Sequence, residues 1–463
     1  STVSGYSSVP SQHGNASIKV TNGSITNNKT IKNIYALTTT SDSSAKKGVD
    51  YSIKNQGTIS GLTGSINANS SSPTNSTTGT FTNYGVLSAP GRLKVVANND
   101  LDLGGQIQAS GNASSSTNPL GGLTLTSKQG KVSLTTPVVT SGKDDTLKGQ
   151  QVAVMSSLTN TSGSNYIKLV SAKPKKGYGI RVAQGQTVSS TGTLKVVGKK
   201  LSSGNGYADP NVILQGHLAG NTIQLGAVGS SHTTDNGAVS DVFSGPTGGI
   251  KATGSNPTVT MNFTGRVKSA PYTNKTNFRY RDLPISTANG GTVNLTLNPV
   301  DYQTNGTKNA KSSGSPSAVN ILVNGNATVS SFKKPTNVPS AGGQSVTGVT
   351  NYPNTHLVLQ STGNINLKAG NSGTFYWPGN LYLGTIKSMN GQAQPGTVSK
   401  YGTISSTGNV NNVMPANDNY GGGIHFMTSN APSLSGNVVT NAKSWVNFSS
   451  AKLTNHYANN NTK

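Results

Sequence analysis

The stretch RLKVVANNDLDLGGQIQASG (92–111), followed by GGLTLTSKQGKVSLTT (121–136), decides the fold. Both segments contain short runs in which apolar residues alternate with polar ones, and turns rich in Gly, Asn or Ser separate the runs. Alternation of this kind places the apolar side chains on one face of a β-strand. The two segments therefore predict short strands that bury one face and change direction at glycine-rich corners.

Similar units recur along the chain, as in NYIKLVSA (165–172), GTLKVVGKK (192–200), GTVNLTLNP (291–299) and THLVLQSTGNINLKAG (355–370). One apolar residue near the start of each clear run serves as an anchor. The spacing of the anchors predicts a period of about 24–30 residues, if the one long gap spans more than one unit. A unit of this size is too small to bury its apolar face alone, so each unit must stack on its neighbours. A β-sandwich, which also has short strands and frequent turns, is the competing interpretation. The anchors are Leu93, Leu123, Leu194, Ile223 and Ile250, and the long gap follows Leu123.

The composition argues against helices and against a large globular core. Hydrophobic residues make up 32% of the 463 residues, Gly occurs 57 times, and the 12 acidic residues are all Asp. Glu favours helices whereas Asp among Gly and Asn favours turns, so the acidic residues point to loops. Cysteine is absent, which excludes disulfides and thiolate metal sites. A thin, repetitive β core fits this composition best.

The sequence thus predicts an all-β fold, a parallel β-helix or β-solenoid with irregular terminal units. We expect an N-terminal cap and irregular β region over 1–80, a solenoid body over 81–384 and a C-terminal irregular region over 385–463. Terminal units of a solenoid are expected to differ from the body because they must cover an open stack.

The runs at 101–136 and 357–370 resemble the body of filamentous haemagglutinin-like exoproteins. That resemblance implies a right-handed parallel β-helix, export by a two-partner system and an extracellular or cell-surface location. The secretion domain of that family carries Asn-Pro-Asn signatures, and Asp209-Pro210-Asn211 departs from the pattern at its first residue. The secretion domain is therefore not assigned to this chain.

The net charge of +24 favours anionic partners such as acidic glycans, nucleic acid or a negatively charged cell surface. Several lysines recur about one predicted turn of the solenoid apart and are expected to stack as a basic ladder, although lysines that merely keep the surface soluble would look the same. Two further cations, Arg279 and Arg281, lie beside aromatic residues. The lysines of this predicted polyanion-binding ladder are Lys148, Lys173, Lys175, Lys176, Lys199 and Lys200.

An aromatic cluster supplies a second candidate site. Tyr376, Trp377 and Tyr382 are predicted to stack on sugar rings, or alternatively to seal an exposed edge of a sheet. For an enzymatic β-helix, clustered carboxylates would be needed, and the candidates are Asp100 with Asp102, on one strand face, and Asp144 with Asp145, in a Gly- and Lys-rich turn. The six histidines show no metal-ligand spacing. The sequence therefore predicts no enzymatic activity, no cofactor and no metal.

These features favour an extracellular, non-enzymatic adhesive β-solenoid that attaches to a cell surface or biofilm matrix. Two alternatives stay open: a structural subunit that associates end to end into filaments, and a β-helix that binds or cleaves polysaccharides. No apolar run is long enough for a membrane span.

Overall fold

A computed structural model provides the fold, and it divides the chain into two compact units, Ser1–His217 and Leu218–Lys463. Each unit is described below by itself. The structure describes residues 16–42, 49–69, 78–109, 119–142, 144–163, 166–172, 178–198, 212–226, 239–244, 247–267, 283–299, 317–332, 355–377, 381–386, 402–412, 423–428, 432–439 and 445–449.

Unit 1 consists of short strands. They are β1 Ala16–Thr21, β2 Ile25–Asn27, β3 Thr30–Lys32, β4 Ile34–Thr40, β5 Ile53–Asn55, β6 Thr58–Ser60, β7 Ser65–Ala68, β8 Phe81–Asn83, β9 Val86–Ser88, β10 Arg92–Ala97, β11 Leu101–Leu103, β12 Gln106–Gln108, β13 Gly122–Ser127, β14 Lys131–Leu134, β15 Val138–Thr140, β16 Asp145–Gly149, β17 Gln151–Val154, β18 Leu158–Asn160, β19 Tyr166–Ser171, β20 Ile180–Val182, β21 Thr187–Gly198 and β22 Val212–Leu214.

These strands pair in parallel, each with a strand one turn of the chain later. The first sheet of unit 1 stacks β1, β4, β7, β10, β13, β16, β19 and the second half of β21. The second sheet stacks β2, β5, β8, β11, β14, β17, β20 and β22. A third sheet contains β3, β6, β9 and β12, and a separate stack joins β15, β18 and the first half of β21. Three strands per turn, wound in sequence order, make unit 1 a β-solenoid.

Unit 2 has the same construction with longer turns. Its elements are β23 His217–Leu225, β24 Val239–Ser244, β25 Gly249–Ala252, β26 Thr258–Val267, β27 Leu283–Thr287, the 3-10 helix Ala288–Gly290, β28 Thr292–Pro299, β29 Ser317–Asn324, β30 Asn326–Ser330, β31 Thr355–Ser361, β32 Ile365–Lys368, β33 Thr374–Trp377, β34 Leu381–Thr385, β35 Ile404–Ser406, β36 Asn409–Asn412, β37 Gly423–Met427, β38 Ser433–Leu434, β39 Val438–Val439 and β40 Trp445–Ser449.

Parallel stacking continues through the described strands of unit 2. One stack runs from β23 through β26, β28, β30, β32 and β35 to β38. A second runs from β25 through β27, β29, β31, β34 and β37 to β40. A third joins β33, β36 and β39. The described part of unit 2 is therefore also a β-solenoid.

The core of unit 1 is a set of apolar columns that run across the strands. In the first sheet, one column contributes a single aliphatic side chain from each of seven successive strands, and every member is completely buried. Burial of one such side chain contributes roughly 1.5–3 kcal/mol relative to exposure. The column is Leu37, Ile66, Val95, Leu125, Leu147, Leu169 and Val196.

A column of asparagines lies at one corner of the unit 1 solenoid. The buried Asn27, Asn55 and Asn83 stack on one another, and each of the first two donates its Nδ2 to the Oδ1 of the next at 2.7 Å. Asn83 ends this asparagine ladder by donating to the backbone carbonyl of Gly104 at 2.6 Å. Because buried amides are costly without partners, the ladder fixes the register of successive turns.

A glycine column, Gly57, Gly85 and Gly105, lies beside the asparagine ladder. A Cβ atom on Gly85 would overlap the carbonyl oxygen of Gly57, and one on Gly105 would overlap the carbonyl oxygen of Gly85. The same carbonyls accept hydrogen bonds from the next turn, such as Val86 N to Gly57 O at 2.8 Å. Only glycine lets the backbones approach this closely.

The length of one turn is less uniform than the sequence pattern predicts. Leu123 and Asp145, which are hydrogen-bonded between adjacent turns, lie 22 residues apart in the chain. Asn366 and Ser405, which are also bonded between adjacent turns, lie 39 residues apart. The long gap between the anchors Leu123 and Leu194 contains three turns, because the chain passes through β16 and β19 before it reaches β21.

The gap from Ile223 to Ile250 is not a turn, since Ile223 pairs with Val259 and Ile250 with Ile285 in different stacks. The anchor spacing was wrong at this point. The all-β parallel solenoid is nevertheless confirmed, and the sandwich alternative is wrong. The right-handed winding, the irregular terminal units and the boundaries after residues 80 and 384 stay predictions.

Candidate functional site

The predicted basic ladder is represented in the described residues by Lys148 alone. Lys148 is exposed on β16 and lies in register with Thr126 on one side and Val170 on the other. Its direct neighbours along the stack are therefore not lysines. The other predicted polyanion-binding residues lie outside the described residues: Lys173, Lys175, Lys176, Lys199, Lys200, Arg279 and Arg281.

Lys148 nevertheless belongs to a positively charged surface, which we call the basic face. This surface is the outward side of β10, β13, β16, β19 and the second half of β21, together with the residue before β16. Among the described residues it carries five cations, the single carboxylate of Asp144 and one tyrosine. The cations and the aromatic residue are Arg92, Lys94, Lys148, Lys168, Lys195 and Tyr166.

Register brings these cations together. Lys94, Thr124, Thr146, Lys168 and Lys195 form one outward column, with consecutive members on neighbouring strands. Neighbouring strands lie about 4.8 Å apart, so Lys168 and Lys195 are direct neighbours. Lys148 occupies the adjacent column, displaced by about 7 Å along the strand direction. The Debye length is about 8 Å at physiological salt, so the potentials of Lys168, Lys195 and the nearby Lys148 add, whereas that of the more distant Lys94 is largely screened from them.

Tyr166 and Arg92 organise the edge of the basic face. The ammonium of Lys195 lies over the Tyr166 ring, 4.4 Å from its centroid, a cation–π contact. The Tyr166 backbone N–H donates to Asp144 Oδ1 at 3.1 Å. Arg92 extends along the stack and donates to Thr124 Oγ1 at 2.7 Å. Desolvation raises the pKa of the Tyr166 hydroxyl, and the negative charge of Asp144 raises it further.

No protein-family model, curated protein or solved structure matches the chain. Its function is therefore inferred from its own residues. Within the described ranges, no helix is long and apolar enough to cross a membrane.

The predicted aromatic site is divided between surface and interior. Trp377 is completely buried on β33, with Phe375 beside it on the same face, so its indole packs in the core and does not face a ligand in solvent. Tyr376 points outward from β33 and is partly exposed. Tyr382, on β34, is partly exposed and packs against His425, with ring centroids 5.9 Å apart. Sugar stacking by Tyr376 and Tyr382 stays a prediction.

The carboxylates considered for catalysis have separate roles. Asp100 precedes β11 and accepts a hydrogen bond from Lys131 N at 2.8 Å, whereas Asp102 on β11 accepts one from Thr135 Oγ1 at 2.9 Å. Asp144 bonds the backbone of β19, as described above. In the part of the chain that the structure describes, no group of three or more His, Asp or Glu residues is placed to hold a metal ion.

Asp145 corrects the sequence interpretation, which placed it in a solvated turn. It is the first residue of β16 and is completely buried, in register with Ile167. Its carboxylate accepts hydrogen bonds from the N–H of Leu123, from Thr140 Oγ1 and from Asn160 Nδ2. Burial raises the pKa of Asp145, and these hydrogen bonds offset part of the rise. The carboxylate binds three donors inside the solenoid, which is a structural role.

Sequence reasoning missed Arg92, Lys94, Lys168 and Lys195, although the signal was present. In the runs LKV (93–95), IKL (167–169) and LKV (194–196), a lysine stands between two apolar residues. Aligning the runs by their buried residues places the three lysines in one outward column. Counting a constant period selects other lysines, because successive turns of this solenoid differ in length.

Proposed function

We propose that this protein is an extracellular, non-enzymatic attachment protein whose lateral surface binds anionic polymers of a cell surface or extracellular matrix. The single observation that carries the proposal is the basic face. Among the residues that the structure describes, five cations share one sheet surface with one carboxylate, and two of the cations, Lys168 and Lys195, are direct neighbours.

Like charges so close repel each other, by about 1 kcal/mol at 4 Å in water and more near a protein surface. A bound polyanion relieves this repulsion and releases its own counterions, which favours association. A parallel sheet keeps the cations at fixed spacings, so little conformational freedom of the backbone is lost on binding. Preorganised charge of this kind suits attachment to a repetitive polymer.

The extracellular location rests on the resemblance of residues 101–136 and 357–370 to filamentous haemagglutinin-like exoproteins. The non-enzymatic assignment is supported by the carboxylates. Asp100, Asp102 and Asp145 each accept hydrogen bonds from neighbouring turns, so these acids already hold the structure together.

The test is binding of the purified full chain to immobilised acidic polymers, including heparin, at increasing NaCl concentrations. We expect retention at low salt and release as salt rises, because counterion release makes such binding strongly salt-dependent. A neutral glucan surface is the control. Absence of binding to every polyanion at low salt would refute the proposal, and release of soluble fragments from the polymer would refute its non-enzymatic part.

A further inference from the structure

We infer that the ligand of the basic face is a linear acidic polysaccharide, extended along the stacking direction across β10, β13, β16, β19 and β21. This inference rests on the proposed function and specifies its site, its ligand class and the direction in which the ligand lies. Three features of the face carry it: the shape of the charged strip, its hydroxyl groups and its aromatic content.

The charged strip is long and narrow. Lys94 and Lys195 lie in one column at the two ends of five stacked strands, which separates them by about 19 Å. Lys148 lies in the outward column on one side of this central column and Arg92 in the outward column on the other side, each about 7 Å away. One extended chain can therefore follow the central column while its substituents reach Lys148 and Arg92.

Threonine hydroxyls lie between cations of the central column, whereas the column of Lys148 also presents the partly exposed Val96, Val170 and Val197. Thr124 and Thr146 separate Lys94 from Lys168 in the central column, and Thr126 precedes Lys148 in its own. A hydroxyl donates one hydrogen bond and accepts others, which suits the many hydroxyls of a sugar chain. Ammonium groups and hydroxyls therefore share one column, a combination that suits a polymer carrying both carboxylates or sulfates and hydroxyls.

The aromatic content disfavours single-stranded nucleic acid. Proteins that bind single strands stack successive bases on several aromatic side chains, each worth about 1–3 kcal/mol. Tyr166 is the aromatic residue among the outward positions of these five strands, and the ammonium of Lys195 already occupies one side of its ring. The basic face thus offers charge and hydroxyls to a ligand, with little surface for base stacking.

The experiment compares the full-length wild type with two quadruple variants of equal net charge, each lowered from +24 to +20. Titration calorimetry measures binding to polygalacturonate, a linear polyuronate, and to an oligo-dT strand, at several NaCl concentrations. The basic-face variant carries Lys94→Gln, Lys148→Gln, Lys168→Gln and Lys195→Gln. The control variant changes four exposed lysines on other strands and turns, Lys29→Gln, Lys32→Gln, Lys251→Gln and Lys368→Gln.

We expect the basic-face variant to bind polygalacturonate at least about tenfold more weakly than wild type. The slope of log affinity against log NaCl concentration should fall in magnitude by about 3, because each lost contact with a single-stranded polyanion removes about 0.7 from it. The control variant should change affinity less than about twofold. A third variant with Arg at the same four basic-face positions keeps the charge and should retain binding. Circular dichroism and thermal melting verify that all variants are folded.

The other outcomes separate the site, the ligand class and the proposed function. Equal losses from the two Gln variants would overturn the assignment of the site while leaving polyanion attachment intact. Binding of oligo-dT as tight as that of polygalacturonate would overturn the ligand class. Absence of wild-type binding to either polymer and to heparin at low salt would refute the proposed function together with this inference.

Discussion

Replacement of Gly85 by alanine tests whether the close backbone approach at the glycine column determines stability. The new Cβ would overlap the carbonyl oxygen of Gly57 and lie 2.9 Å from the carbonyl carbons of Gln56 and Gly57. All three atoms belong to backbone, so no side-chain rotation relieves the clash. The turns must separate locally by more than about 1 Å to restore ordinary contact distances.

Such a separation strains two of the hydrogen bonds that join these turns, Gly85 N to Asn55 O at 3.1 Å and Val86 N to Gly57 O at 2.8 Å. Overpacking typically costs about 1–3 kcal/mol, and each weakened hydrogen bond adds about 0.5–1.5 kcal/mol. We therefore expect Gly85→Ala to lower the free energy of unfolding by about 2–6 kcal/mol.

The matched control is Gly91→Ala, because a Cβ on exposed Gly91 meets no atom within 4 Å. This change should alter stability by less than about 1 kcal/mol and can be slightly stabilising. Urea denaturation followed by far-ultraviolet circular dichroism, with hydrogen exchange of the β5–β9 amides, measures both variants. If Gly85→Ala and Gly91→Ala unfold at the same urea concentration, the glycine column does not constrain the fold as argued.

The buried residues of the core and the corners allow three more tests. Asn55→Ala removes the middle of the asparagine ladder, and with it the amide partner of Asn27 and Asn83. It should lower the free energy of unfolding, measured by urea denaturation, by about 2–4 kcal/mol. A decrease no larger than that caused by Asn28→Ala, at an exposed position, would contradict this. Leu147→Ala should lower the free energy of unfolding by about 2–5 kcal/mol, since it opens a cavity in a fully buried column. Leu147→Met should lower it by less than about 1.5 kcal/mol. Equal decreases for the two variants would argue against tight packing around Leu147. The pKa of Asp145 is raised in the folded state, so the folded protein binds a proton at this carboxylate more tightly than the unfolded chain does. The free energy of unfolding therefore rises as pH falls from the folded-state pKa towards 3.8. Wild type should therefore gain stability relative to Asp145→Asn between pH 7 and pH 4 in parallel denaturation curves, and pH profiles of the same shape for both proteins would disprove the linkage.

The parallel solenoid could be predicted from the sequence because strand alternation is a local property. In LKVV and LTLT the buried and exposed positions follow from a period of two: Leu93 and Val95 are buried, Val96 faces outward, and both leucines of LTLT are buried. The register between turns was harder to predict. It depends on where each corner ends, and turns that range from 19 to 43 residues provide no constant spacing from which to count.

The candidate site was only partly predictable for the same reason. Lys148 was identified, but the cations of the adjacent column were not, since Lys168 and Lys195 become neighbours only when β19 and β21 are aligned through Ile167 and Leu194. Asp145 was misplaced because the local composition around it is that of a turn. Its burial depends on three donors from β13, β18 and the end of β15, two of which are distant in sequence and invisible to a local pattern.

The unequal turn lengths have a consequence for engineering. Residues added at a corner lengthen one turn without shifting the buried columns, because strands are aligned by stacking and not by their distance along the chain. The closure entropy of a longer loop grows only slowly, by about 0.6 kcal/mol for each doubling. A solenoid of this kind is therefore a natural display scaffold: foreign epitopes or enzyme-cleavable peptides could be grafted at its corners, at spacings set in steps of about 4.8 Å.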